Sequence, residues 1–174
     1  MSIDIIELRR GAARPQALSV PRQGVRPATT DSNPHVQLEQ NAPHHLQDAL
    51  HAHVRRLPGV VVERSHISLP GARGFSLSPR PAAAPTDGFL VGDEFAHLHP
   101  PSDGSLHLVL PPWQIGQVLK LGWGELHPVA AQYGMPLNVV MLYGPRDERE
   151  LVIASELLTA SWAYASGLLP SRLP

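Results

Sequence analysis

The chain contains no cysteine. A disulfide framework, a thiolate nucleophile and a thiolate-ligated zinc or iron–sulfur site are therefore excluded, and any metal must be held by nitrogen and oxygen. A charge surplus is also lacking: 14 Lys and Arg stand against 15 Asp and Glu, a net charge of −1. That balance removes the electrostatic footprint of a nucleic-acid or anionic-membrane binder, so neither partner is expected. Long hydrophobic runs are missing as well. The uncharged stretch from Leu126 to Pro145 is broken by Pro128, Gly134, Pro136 and Gly144, which predicts no spanning helix. Asp4, Glu7, Arg9 and Arg10 interrupt the apolar segment a signal peptide would need over residues 1–11, so a cytoplasmic chain is expected. Ser105 lies in no Gly-x-Ser-x-Gly elbow, and serine-triad chemistry has no support.

What is present fits one core with an accessory arm, since 174 residues is near the usual size of a single domain. The first 30 residues carry five arginines (9, 10, 14, 22 and 26) against Asp4 and Glu7, while the remainder is net acidic. Pro15, Pro21, Pro27, Pro34 and Pro43 punctuate a segment with almost no apolar period. Residues 1–43 thus read as an extended Pro/Arg-rich arm or linker that packs on the body, on a neighbouring subunit, or on another protein. Residues 44–170 read as a single domain.

The domain is predicted to open with a helix capped by Asn41, with Leu46, Ala49, Leu50, Val54 and Leu57 at helical spacing and Pro58-Gly59 as its stop. His44, Asp48, His51 and Arg55 fall on its opposite, solvated face. Val60 to Arg64 and Gly74 to Ser78 read as short strands. Two alternating runs, Phe89 to His99 and Ser105 to Leu110, flank an Asp103-Gly104 turn signal and predict a β-hairpin. A helix then starts at Pro111-Pro112, Leu137 to Tyr143 reads as a buried strand, and Asp147 with Glu150 caps a last helix running to Gly167. The expected fold class is α+β: a small, mostly antiparallel β-sheet with a His-bearing hairpin, covered by about three helices.

The hairpin carries the chemistry. If His99 lies opposite Ser105, then His97 lies opposite His107, because antiparallel partners keep a constant index sum. Period two then gathers His97, His99, Ser105 and His107 on one face and sends Ala96, Leu98, Leu106 and Leu108 to the other. Glu94 and Asp103 flank the pair as carboxylates able to ligate a metal or orient an imidazole. A second group, Gly122-Trp123-Gly124-Glu125-Leu126-His127-Pro128, sets a flat aromatic between glycines and brings Glu125 and His127 two residues apart.

The runs Gly92-Asp93-Glu94-Phe95-Ala96-His97-Leu98-His99, Asp103-Gly104-Ser105-Leu106-His107, Gly122 to Pro128 and Tyr143-Gly144-Pro145-Arg146-Asp147-Glu148 resemble, in this order and spacing, the luciferase-domain family. That family contains the fungal luciferases and many bacterial proteins. Leu126 stands where the family commonly has Arg. The resemblance implies an oxidoreductase of oxygenase or monooxygenase type acting on a small enolic, phenolic or pyrone-like substrate. The fungal members oxidise a 3-hydroxy-α-pyrone with dioxygen and lose carbon dioxide, without an organic cofactor.

Two versions of the chemistry stand open. In one, Glu94, His97, His99 and His107 hold a divalent transition metal. In the other there is no metal, dioxygen is the co-substrate, and one of His97, His99, His107 and His127 is the general base, with Glu125 or Asp103 orienting it. In both, Trp123 stacks on the substrate, Ser105 and Asp103 line its site, and Arg146 holds a developing anion. The alternatives are a non-catalytic small-molecule-binding or protein-interaction module, and a metal-dependent hydrolase.

Overall fold

The computed structural model describes residues 18–172. The basic arm's Arg9, Arg10 and Arg14 lie outside the described residues. The elements run α1 (His44–Val54), β1 (Val60–Arg64), β2 (Arg73–Leu77), β3 (Glu94–Leu98), β4 (Leu106–Val109), α2 (Pro112–Lys120), β5 (Gly124–Leu126), a 3-10 turn (Ala130–Tyr133), β6 (Val139–Leu142) and α3 (Glu148–Ala165). The six strands form one sheet in the order β1-β2-β3-β4-β6-β5, and every neighbouring pair is antiparallel. The class is α+β.

The hairpin register is the expected one: Ala96 faces Leu108, His97 faces His107 and Leu98 faces Leu106. Its turn closes with the Asp103 and Gly104 amides donating to the Pro100 carbonyl at 2.9 and 3.1 Å, Gly104 taking φ +71°. Strand β3 is shorter than the alternating run, because Val91-Gly92-Asp93 turns tightly and the Leu90 amide donates to the Glu94 carbonyl at 2.7 Å. Strand β5 is three residues of the Trp-containing loop that add to the free edge of β6.

Helix α1 begins after Pro43 with no side-chain cap. Asn41 instead donates to the Ser102 carbonyl, which corrects its expected role and ties the helix start to the hairpin turn. At α3 the cap is as predicted, the Asp147 side chain accepting from the Glu150 amide at 2.9 Å. Helix α3 packs on β3 and β4, and α1 packs on α3. The core contains Ala96, Leu98, Leu106, Leu108, Val140 and Leu142 from the strands with Leu50, Val54, Ala154, Leu158 and Tyr164 from these two helices.

One rung of directly opposed residues crosses the whole sheet: Glu63, Gly74, His97, His107, Met141 and Glu125. Opposed side chains in an antiparallel sheet share a face. This rung therefore lies opposite the leucine face, and residues 18–43 run over it. The arm folds back on itself, with Thr29 bridging Gln37, the Thr30 amide donating to the Val36 carbonyl at 3.0 Å, and the Leu38 amide to the Ala28 carbonyl at 2.9 Å.

Candidate functional site

The hairpin pairing and the arm bring five histidines to one place. His35, His97, His99, His107 and His127 all line a cavity of about 260 Å³, with Asn33, Pro34, Ile67, Leu69, Pro70, Tyr133 and Met135 forming the remainder of the wall together with Ser68. All five rings are buried. Neighbouring centroids lie about 5 Å apart, His99 to His107 at 4.7 Å and His107 to His127 at 4.9 Å.

Carboxylates hold three of these rings by their outer nitrogens. His97 Nδ1 lies 2.8 Å from Glu94 Oε1, which also accepts from the Ser65 hydroxyl at 2.7 Å, while Glu94 Oε2 accepts from the His66 amide at 2.8 Å. His99 Nδ1 lies 2.5 Å from Asp103 Oδ2, and Asp103 Oδ1 accepts from the Ser105 amide at 2.9 Å. His35 Nε2 lies 2.7 Å from Glu125 Oε1. A carboxylate facing a ring nitrogen fixes the proton there, so the other nitrogen of each ring offers a lone pair. Those inner nitrogens converge on His107: His97 Nε2 and His99 Nε2 lie 3.1 and 3.0 Å from its Nδ1, and His35 Nδ1 lies 3.1 Å from its Nε2.

The electrostatics follow from burial. Desolvation pushes His107 well below the ordinary imidazole range, and the surrounding histidines push it further. Burial likewise lowers His97, against the opposing hydrogen bond of Glu94. It takes His35 down to about 4, with His127 and His99 adding to the effect. Burial by itself raises Glu94 and Asp103, but the hydrogen bonds and charge of His97 and His99 respectively, together with hydrogen bonds from His66 and Ser65 to Glu94 and from Ser105 to Asp103, hold both carboxyls below their ordinary range. The cluster sets buried imidazoles on the inside and carboxylates behind them.

Two sets of three buried histidines have one nitrogen each within 4.8 Å of the others: His97, His99 and His107, and His35, His107 and His127. Glu94 belongs to neither set; it sits behind His97 as that ring's hydrogen-bond partner. Asp103 and Ser105 similarly stand behind His99, and neither lines the cavity. Glu125 orients His35 and is saturated, accepting also from the hydroxyls of Thr29 at 2.7 Å and Tyr143 at 2.9 Å and pairing with Arg26. His127 lines the cavity, its Nδ1 accepting from the Val129 amide at 3.3 Å.

Two residues expected to touch substrate lie away from the cavity. Trp123 is a core residue whose indole Nε1 donates to the Val20 carbonyl of the arm at 2.7 Å, because the Trp loop becomes strand β5 and turns its ring inward. Arg146 is turned to the arm and to α3, its guanidinium pairing with Glu150 and donating to Gln40 Oε1 at 3.0 Å and the Gln23 carbonyl at 2.6 Å. Neither lines the cavity. Leu126 is exposed and likewise lies off its wall.

His35 is the site residue that sequence reasoning missed. It lies 72 positions from His107 and 90 from Glu125, inside a segment whose prolines carry no period. Ser65 and the apolar wall from Ile67 to Pro70 were also unmarked, because the loop after β1 has no pattern that predicts where it folds.

Residues 92–161 match the Luciferase domain family. The chain is similar to the luciferase of Neonothopanus nambi, at 40% identity over 73 residues, and to those of Armillaria gallica and Armillaria mellea, at 37% each. The matched stretch is 41% of this chain and 27% of each relative, so the chain spans about a quarter of the length of the relatives it matches. No solved structure matches it. No helix among the described residues is long and apolar enough to cross a membrane. The hairpin, α2, strands β5 and β6 and most of α3 are thus the part of this chain that is similar to the luciferase-domain family, over residues 92–161.

Proposed function

We propose that this protein is a metal-dependent oxygenase of a small enolic, phenolic or pyrone-like molecule, with one divalent transition metal on His97, His99 and His107. One observation carries the reading: the inner nitrogens of His97 and His99 both lie within 3.1 Å of His107 Nδ1, with their protons committed to Glu94 and Asp103 on the far side. Two inner lone pairs meet at His107 Nδ1, and a cation there, with Nδ1 as the third ligand, satisfies all three nitrogens. Burial disfavours a proton on His107 as that cation. Nitrogens bound to a metal at about 2.1 Å lie about 3.0 Å apart at right angles and about 3.4 Å apart in a tetrahedron, so these separations suit a shared ion with little movement. Three imidazoles leave coordination positions open, and the set suits iron, manganese, nickel, copper or zinc.

The cavity supports a small substrate. At about 260 Å³ it lies just below the range of ordinary ligand pockets, which favours a compact ring system over an extended one. Its wall is apolar apart from the histidines, Asn33, Ser68 and the Tyr133 hydroxyl, and contains no Lys or Arg. A neutral molecule that ionises on binding fits better than one arriving as an anion. The metal, when bound, supplies Lewis acidity that favours the enolate. The chain itself binds the ring against Leu69, Pro70, Tyr133 and Met135 and keeps water from it. Dioxygen takes its electrons from the bound enolate, so no external reductant is required.

Metal content by mass spectrometry tests the centre. Wild type is expected to carry about one equivalent of a transition metal and the His97→Ala/His99→Ala variant none. A wild type that stays metal-free after supplementation with iron, manganese, nickel, copper and zinc overturns it. Oxygen uptake with 3-hydroxy-α-pyrones then separates oxygenase from hydrolase, since hydrolysis consumes no oxygen.

A further inference from the structure

His35 comes from the arm, 57 residues before the stretch that matches the luciferase-domain family. Its ring is held at both ends. Nε2 faces Glu125 Oε1 at 2.7 Å and Nδ1 faces His107 Nε2 at 3.1 Å. Glu125 accepts from Thr29 and Tyr143 and pairs with Arg26, so it has no proton to offer and the ring must place its own on Nε2. The His35 lone pair is left pointing at His107.

Among the five histidines, His107 is flanked by rings on both sides. A neutral His107 carries a single proton, and two arrangements are available. With that proton on Nδ1, His35 faces a second lone pair at 3.1 Å and the contact is repulsive. With it on Nε2, His107 donates to His35, Nδ1 is free, and every polar contact from His107 outward to Glu125 is a hydrogen bond. The second arrangement is the one a metal on Nδ1 needs.

We infer that His35 is a positioning residue, which through Glu125 holds the His107 proton on Nε2 and so presents His107 Nδ1 to the metal. This rests on the metal centre proposed above. The arm supports a second ligand in the same way: two residues on, the Gln37 amide donates to Asp103 Oδ2 at 3.3 Å, the carboxylate that holds His99. Gln37 is itself locked, its Oε1 accepting from the Gly144 amide at 3.0 Å and its Nε2 donating to the carbonyls of Glu39 and Gln40. One extended strip of arm therefore stands behind two of the three ligands, and the centre is incomplete without it.

The alternative for His35 is that of a direct ligand to a second ion shared with His107 and His127. His127 Nδ1 accepts from the Val129 amide, which places its proton on the other nitrogen and leaves that set short of a lone pair.

Titration of the metal-free full chain with Co²⁺, followed by visible absorption, tests the inference. Wild type is expected to take one equivalent. Outer hydrogen-bond partners of a ligating imidazole typically set affinity by 10–100-fold. His35→Ala is therefore expected to keep one equivalent with a dissociation constant raised by about that factor and its absorption bands shifted. Glu125→Gln, which keeps the acceptor oxygen and removes the charge, is expected to weaken binding less and to shift the bands in the same direction. Circular dichroism checks that both variants are folded. Unchanged affinity and spectra in both overturn the inference while leaving the centre standing. Two equivalents in wild type falling to one in His35→Ala overturn it by making His35 a ligand. No Co²⁺ bound by wild type overturns the metal centre, and this inference with it.

Discussion

Gly74 shows how a residue with no functional group shapes the site. It lies opposite His97 in the sheet, and a Cβ there would sit 2.9 Å from Ser65 Cα and 3.0 Å from Glu94 Oε2. The missing side chain is the space through which Glu94 reaches His97 and Ser65 reaches Glu94. Gly74→Ala must push on backbone on one side and on a buried carboxylate on the other, and overpacking of this kind costs about 1–3 kcal/mol. Urea unfolding of the variant is expected to show that loss. Metal titration is expected to show weaker binding too, because the carboxylate that sets the His97 tautomer is displaced. Wild-type stability and affinity together would mean that the loop after β1 moves aside without cost.

At the scale of elements, one fastening of the arm to the body runs through Glu150 of α3. Arg22 and Glu150 are both buried, with Arg22 Nη2 3.4 Å from Glu150 Oε2, and Glu150 also binds Arg146, which reaches Gln40 and Gln23 of the arm. Removing one partner of a buried pair strands the other in low dielectric, typically at about 3–5 kcal/mol. Glu150→Ala is expected to fall in that range and to loosen the arm before the sheet unfolds. Limited trypsin digestion is the check: cleavage after Arg22 should precede loss of the circular dichroism of the body. Cleavage and unfolding at the same rate would place the arm inside one cooperative unit with the sheet.

Much at this scale was legible in the chain. The Asp147 cap, the β1 strand and the pairing of His97 with His107 each depend on neighbours close in sequence, and the alternation of His with Leu across a five-residue turn admits one register, because a slip of one residue would turn the leucines to the wrong face. Strand β5 was not legible. Three residues carry no period, and they extend only because the edge of β6 is there to pair with.

The behaviour of the whole molecule with pH follows from how many histidines it buries. Burial takes His35 from an ordinary pKa near 6.5 down to about 4, and also lowers His51 and His53 on α1, where Arg73 and Arg56 respectively add to the effect. Between those values the unfolded chain binds protons that the folded chain refuses, so stability is full above about pH 6.5 and falls as the pH drops. Glu94 and Asp103, held below the ordinary carboxylate range, lose their contribution as the pH falls further through their folded values. The signs agree. The urea midpoint of metal-free protein is expected to decrease steadily from pH 7.5 to pH 4.5; a midpoint that rises on acidification would show that the cluster is protonated in the folded state.

The primary structure by itself determined the donor chemistry, the α+β class and the hairpin that opposes His97 and His107, since composition, periodicity and a short turn are local properties that need no distant partner. Only the tertiary structure decided which carboxylate stands behind which ring, that Trp123 fills the core while Ile67 and Leu69 line the cavity, and that His35 closes the cluster from 72 positions away. Those outcomes depend on how the arm and the loop after β1 fold across the sheet. Their geometry is set by the sum of many weak contacts, with no periodic pattern to announce it.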